Sequence, residues 1–185
     1  MILLFHGGFT MYLTYNNLTI RNATFSDCPQ LALWWNDGAV MAHAGFPNGL
    51  GTTAEAIAEK IATDTDDTTR RLVIELDGQL IGETNYRNIG DGCAEIGIKI
   101  CDFSRQEKGL GRILLSMLIR ELFRLGYHKI LLDTNLKNTR AQHVYELLGF
   151  QKVCVNIDSW KNQLGELQSS VDYELIPEWF CNFAV

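Results

Sequence analysis

The stretch Gln106-Glu107-Lys108-Gly109-Leu110-Gly111 joins a strand-like run to a strongly amphipathic helix. Upstream, Cys93-Ala94-Glu95-Ile96-Gly97-Ile98-Lys99-Ile100 places apolar residues at 96, 98 and 100, the alternation of a strand. Downstream, Leu110, Ile113, Leu114, Met117, Leu118, Leu122 and Leu125 share one helical stripe, with Arg112, Ser116, Arg120 and Arg124 opposite. A helix that starts straight out of a glycine turn leaves several backbone N–H groups without intrahelical acceptors, all aimed the same way. Added to the positive end of the helix dipole, they make an anion pocket. Charge-assisted hydrogen bonds contribute roughly 1.5–3 kcal/mol each, so a few of them hold a pyrophosphate. Glycine at 109 and 111 keeps β-carbons out of its way. The spacing is not that of a GxxxxGK(S/T) phosphate loop, and no acidic ribose partner follows where a dinucleotide fold would put one. By itself a Gly-x-Gly also serves as a plain tight turn.

A second constellation narrows the reading. Ile130-Leu131-Leu132-Asp133-Thr134 is a short buried strand ending in an acid. Asn138 then makes a good N-cap, Ala141, Val144, Tyr145 and Leu148 share one helical face, and Gly149 stops the helix before Phe150. With both segments in view the chain resembles the GNAT superfamily of N-acetyltransferases. That family's acetyl-CoA motif, (R/Q)-x-x-G-x-(G/A), is matched by Gln106 through Gly111. Its following Asn-x-x-Ala-x-x-x-Tyr and Gly-Phe motif is matched by Asn138, Ala141, Tyr145, Gly149 and Phe150. The resemblance covers roughly residues 18–176. The Trp34-Trp35-Asn36-Asp37 sequence and the run Ile81-Gly82-Glu83-Thr84-Asn85-Tyr86 are most similar to its RimJ/RimL-like branch, whose members act on protein N-termini and on small amines.

Working outward, Leu18-Thr19-Ile20-Arg21 predicts a first strand, and Ser26-Asp27 caps a helix with Pro29 in its first turn, running to about Trp35. Thr52 and Glu55 form a capping box for a second helix through about Ala62. Strands at 72–76 and 79–86 meet at Asp77-Gly78, whose residues tolerate the positive φ of a tight hairpin. After the helices at 109–125 and 139–148 and the strand at 129–134, two strands near 151–158 and 168–176 flank a loop with Asn162 and Gly165. An antiparallel first half followed by alternating strand and helix predicts an α/β fold: an open, mixed and mostly antiparallel sheet with helices on both faces. The resemblance implies the same acyl-CoA N-acyltransferase fold. A length of 185 residues, 46% hydrophobic and 21% charged, without repeat or low-complexity linker, suits one domain.

The resemblance also implies the chemistry. Acetyl would pass directly from acetyl-CoA to an amine, with the strand at 95–99 beside the pantetheine arm and a main-chain N–H near Ile98 or Ile100 polarising the thioester carbonyl. Arg105, Gln106, Lys108, Gly109, Leu110, Gly111 and Arg112 would meet the phosphates, with Asn138 and Ala141 completing the cofactor site. Tyr145 is then the acid that protonates the departing thiolate; without the motif it would read as a packed aromatic. For the base the candidates are Asp133, Glu95, Glu83 or water. A carboxylate of pKa about 4 taking a proton from an ammonium near 10 is uphill by ~6 units, so burial must raise the acid or lower the amine. Trp34, Trp35, Met41 and Phe46 lie where this family builds the acceptor pocket, with about one of them expected to line it, and Glu83 nearby. The segment 38–53, with its Gly45-Phe46-Pro47-Asn48-Gly49 turn, is expected to form a lid or pocket wall.

The net charge of −6 and a pI near 5.2 disfavour nucleic acid and favour a cationic acceptor. No apolar run reaches the ~18 residues of a membrane helix. The apolar start through Gly8 lacks a basic region and is a poor signal peptide, expected to be an extension or an upstream start. Five cysteines without a CxxC pair point to a reducing, cytoplasmic interior, and His6, His43, His128 and His143 are too dispersed for zinc. A homodimer is implied by resemblance. The alternative of another class is a non-catalytic acyl-CoA-binding domain, which would be expected to have lost Tyr145 or the acid facing it.

Overall fold

The computed structural model describes residues 10–185; the apolar start through Gly8, with His6, lies outside the described residues. Eight strands form one sheet: β1 (Tyr12–Tyr15), β2 (Leu18–Asn22), β3 (Thr69–Leu76), β4 (Gln79–Gly90), β5 (Cys93–Ile100), β6 (Lys129–Asn135), β7 (Gln151–Lys161) and β8 (Leu167–Leu175). Their order is β1-β2-β3-β4-β5-β6-β8-β7. Every neighbouring pair is antiparallel except β5 and β6. The helices are α1 (Cys28–Asn36), α2 (Gly38–Met41), α3 (Ala54–Ala62), α4 (Leu110–Arg124) and α5 (Thr139–Leu147).

Helices cover both faces, and the alternation within β3 shows it. Val73 packs with Cys28, Leu31, Trp34 and Ile57 of α1 and α3. Its neighbours Leu72 and Ile74 point the other way, into a larger core with Leu114, Leu118 and Leu122 of α4, Tyr145 of α5 and Leu148 at its C-cap. A strand buried on both faces reads as a continuous apolar run, which is what Leu72-Val73-Ile74 is. Each fully buried side chain of this size stabilises by about 1.5–3 kcal/mol. On the α1 side an ion pair adds direction. The Arg21 guanidinium donates to both Asp27 carboxylate oxygens at 2.8 and 2.9 Å and to Glu75 at 2.8 Å, tying β2, β3 and the start of α1 together.

The hairpin at Asp77-Gly78 has both residues at positive φ, 53° and 75°, and the Asn138 side chain caps α5 by accepting from the Ala141 N–H at 3.3 Å. Four expectations are corrected. The cap of α3 is Thr53, which accepts from the Ala56 N–H at 3.2 Å, while Thr52 is held through its backbone by Asn36. β1 was not foreseen, because its four residues alternate weakly and stand only as a hairpin arm against β2. Ser116 is buried, although it lies opposite the apolar stripe of α4, because the end of the chain covers that side of the helix. Leu125, assigned to the stripe, is instead 38% exposed beyond the last helical turn. Among the described residues no helix is long and apolar enough to cross a membrane.

Candidate active site

β5 and β6 pair only from Cys93↔Lys129 to Glu95↔Leu131 and then part. Two side-chain bonds fix which backbone groups of β5 look into the gap. The Gly97 carbonyl accepts from Thr84 Oγ1 on β4 at 2.7 Å, whereas the Ile100 carbonyl accepts from Gln106 Nε2 on the far side at 2.7 Å. Since the N–H and C=O of one strand residue share a direction that alternates along the chain, Ile96, Ile98 and Ile100 present theirs toward β6. Past Glu95, among the described residues, the ladder to β6 ends, and with the Ile100 carbonyl taken by Gln106 the groups left open are the N–H and C=O of Ile98 and the N–H of Ile100. Buried backbone groups left this way are the natural ligands of an extended amide-bearing chain.

At the top of the gap the 106–111 bend has Glu107 at φ 59° and Gly109 at φ 73°. Gly109 is the N-cap of α4 and supplies no side-chain acceptor, so the N–H groups of the first turn are open. Successive N–H groups in such a turn make an anion-binding nest at the positive end of the helix. A β-carbon on Gly111 would meet nothing within 4 Å, which puts that residue on the open side. Lys108 and Arg112 are exposed beside the bend, and Leu110 packs against the core. Arg105 is drawn toward Asp102 at 3.6 Å, with its buried Nε unsatisfied. The Gln106 side chain is a brace: besides the Ile100 carbonyl, it accepts from Arg140 at 2.9 Å, and Arg140 also donates to Glu107 at 2.9 Å. Asn138 is likewise engaged, capping Ala141 and donating to Thr134 at 3.3 Å. A cavity of about 370 Å³ lined by His43, Glu107, Lys137, Asn138, Thr139 and Arg140 opens where the bend meets the start of α5.

The ionisable groups gather around the same gap. Asp133 lies directly opposite Asp172 on β8. Burial, then the charges of Glu95 and Asp172, push the Asp133 carboxyl above the ordinary range. Tyr145 is only 8% exposed, between the rings of Phe150 and Tyr173 at 5.9 and 5.7 Å. Burial, then the Asp133 charge, push its phenol up to about 12. Among the described residues its hydroxyl makes no hydrogen bond. Glu95 pairs with Arg87 at 2.8 Å, half exposed. Glu83 is the most tightly held of the acids: it accepts from the Trp35 indole N–H at 2.8 Å and from Lys99 at 3.0 Å.

Trp34 and Met41 are buried as core, whereas Trp35 and Phe46 are partly exposed. The 45–49 turn, expected as a lid or pocket wall, is fastened by long-range contacts. Gln163, in the loop between β7 and β8, donates its N–H to the Gly45 carbonyl at 2.8 Å and its amide to the Gly49 carbonyl at 2.9 Å. It accepts from the Asn48 N–H at 2.9 Å, while Gly45 stacks so closely on Trp160 that a β-carbon there would run into the ring. Sequence reasoning missed Arg140, Asp172 and Gln163. Arg140 had a signal, as a charged residue in the first turn of a helix at the phosphate end; the other two act through pairings across strands and loops that no local pattern contains.

Residues 17–151 match the family profile described as an acetyltransferase (GNAT) domain. No curated protein matches the chain by sequence. Among solved structures it is similar to spermidine N-acetyltransferase from Vibrio cholerae in complex with CoA and spermine, at 24% identity and a TM-score of 0.78 over 88% of this chain and 97% of that one. RimL, the ribosomal L7/L12 α-N-protein acetyltransferase in complex with CoA, gives 17% and 0.78 over 90% and 98%. Ribosomal-protein-alanine N-acetyltransferase from Brucella melitensis gives 22% and 0.73 over 85% and 98%. At these identities the likeness establishes the fold.

Proposed function

The chain belongs to the GNAT acetyltransferases, and from that premise we propose that it transfers acetyl from acetyl-CoA to a primary amine by direct attack in a ternary complex. The acceptor we infer is a cationic amine, either a small one or the α-amino group of a protein. The spermidine and ribosomal-protein enzymes it resembles represent these two classes. The observation that carries the reading is the gap itself. Unpaired backbone groups of β5, the open N–H groups of the 106–111 bend, Asp133 and the unbonded Tyr145 hydroxyl converge where β5 and β6 part.

The donor set fits a pantetheine diphosphate: strand edge for the amides, helix start with Lys108 and Arg112 for the phosphates. Acetyl-CoA supplies the activated acyl group. The Ile98 N–H donates to the developing oxyanion. Asp133, with Glu95 as the competing acid, takes the ammonium proton; its raised pKa narrows a gap that is otherwise ~6 units, roughly 8 kcal/mol. The same proton prepares the acid. The Asp133 charge is one cause of the high Tyr145 pKa, so neutralising Asp133 lowers it when the thiolate, of conjugate pKa near 8.5, needs a donor. The free thiols at Cys28, Cys93, Cys101, Cys154 and Cys181 support a cytoplasmic setting.

The test is thiol release from acetyl-CoA with polyamines, aminoglycosides and short peptides as acceptors. Turnover with at least one amine is expected. Tight CoA binding without turnover above background on any acceptor would reduce the protein to a binding module.

A further inference from the structure

The chain after β8 has no part in that reading, yet it reaches the cofactor site. It turns through a short 3-10 helix at Pro177–Trp179 and runs back along α4. Phe183 donates its N–H to Ser116 Oγ at 2.9 Å, Arg120 donates to the Ala184 carbonyl at 3.0 Å, and the Tyr15 hydroxyl donates to the Val185 carbonyl at 2.9 Å. Phe180 stands edge to face with Phe123 at 5.8 Å, and Ala184 is buried. The segment is a strap fastened to the helix.

Its other ring bears on the bend. The Arg112 guanidinium lies over the Phe183 ring, 5.1 Å from the centroid. The same guanidinium flanks Gly109: a β-carbon there would stand 3.5 Å from Arg112 Nη2 and 3.6 Å from Nε. Arg112 makes no hydrogen bond or ion pair among the described residues. A ring at this distance restrains the guanidinium by cation–π attraction without accepting any of its N–H donors. The ring contact therefore restrains the side chain and leaves its donors unclaimed among the described residues, beside the open N–H groups of the first turn.

We propose that Phe183 is a positioning residue for the coenzyme: it holds the Arg112 guanidinium beside Gly109 so that the fork meets a phosphate arriving at the bend. This rests on the acetyl-CoA reading above. An unstacked arginine on an exposed first turn samples many rotamers, and the ordering would then have to accompany binding.

The experiment is calorimetry with CoA and steady-state kinetics on the full chain. Phe183→Leu keeps an apolar contact with α4 but removes the ring face. The CoA Kd and the acetyl-CoA KM should rise about three- to tenfold, the worth of one cation–π contact, with the loss falling on KM rather than kcat. Phe183→Tyr should restore wild-type affinity. Arg112→Ala should weaken binding by itself, and adding Phe183→Leu should weaken it no further. A Phe183→Leu protein that binds CoA as tightly as wild type, or losses that simply add, would overturn the inference while leaving the acetyl-CoA reading intact. Wild type that gives no heat with CoA would overturn both.

Discussion

The charge on Asp133 helps to hold the proton on Tyr145, and each group can be removed singly. Tyr145→Phe keeps the ring packing against Phe150 and Tyr173 and deletes only the hydroxyl, which bonds to nothing among the described residues. Its kcat should fall by about 10²–10⁴-fold, the usual worth of a positioned acid, with the CoA Kd nearly unchanged. Unchanged turnover would remove Tyr145 from that role. For Asp133 the raised pKa fixes the sign of a stability effect. A carboxyl with a raised folded pKa binds its proton more tightly when folded, so stability falls as pH climbs from the ordinary carboxylate range through the raised value. At pH 7 the ionised Asp133, facing Glu95 and Asp172, opposes folding. Asp133→Asn should therefore raise the melting temperature slightly at pH 7, the gain kept small by solvent at this exposed position and vanishing at low pH, while kcat drops and the acidic limb of its pH profile moves. An intact pH–rate profile would shift the base to Glu95 or water.

The bend before α4 was the most legible element, because most of its signal is local: alternation before it, a helical stripe after it and glycine at the positive φ of 109, although Glu107 also takes a positive φ and Arg140 braces the turn from α5. Its two glycines nonetheless differ, and substitution should separate them. Gly109 has φ 73°, so Gly109→Ala should cost about 1–2 kcal/mol and place a methyl in the nest, raising the CoA Kd on the order of tenfold or more. Gly111 is inside α4, with open space where a β-carbon would go, so Gly111→Ala should stabilise by about 1 kcal/mol and bind CoA as before. Urea melts and CoA titration of both variants would check the contrast; equal behaviour would contradict the assignment of Gly109 as the cap. Other errors at this scale have one cause. Thr52 and Thr53 offer the same hydroxyl, and the choice fell to Thr53 because Asn36 claims the Thr52 backbone. Ser116 reads as solvent-facing until the strap at 183–184 is laid over it.

Across the whole molecule, the cofactor half of the proposed site draws on segments close in sequence, 93–112 and 133–145, whose motifs local spacing makes visible. The acceptor half of the proposed site would draw on 34–49, 83 and 160–172, and what holds these segments is not legible locally: Glu83, one candidate base, is held by Trp35 and Lys99, and the turn at 45–49 is pinned by Gln163. Composition at one position cannot encode a partner more than a hundred residues away; only the sheet order β6-β8-β7 brings the β7–β8 loop over the exit of α2. That dependence makes Gln163 a test of whether the wall serves the acceptor. Gln163→Ala removes the side-chain bonds to Asn48 and Gly49 but keeps the backbone bond to Gly45. Two neutral hydrogen bonds are worth about 1–3 kcal/mol together, so the wall should loosen without global unfolding. The KM for the amine should then rise about three- to tenfold while the CoA Kd stays put, because the bend at 106–111 shares no bond with Gln163. A coenzyme affinity that falls in step with the amine KM would mean that the two halves move as one body, and that the turn at 45–49 supports the fold rather than the acceptor.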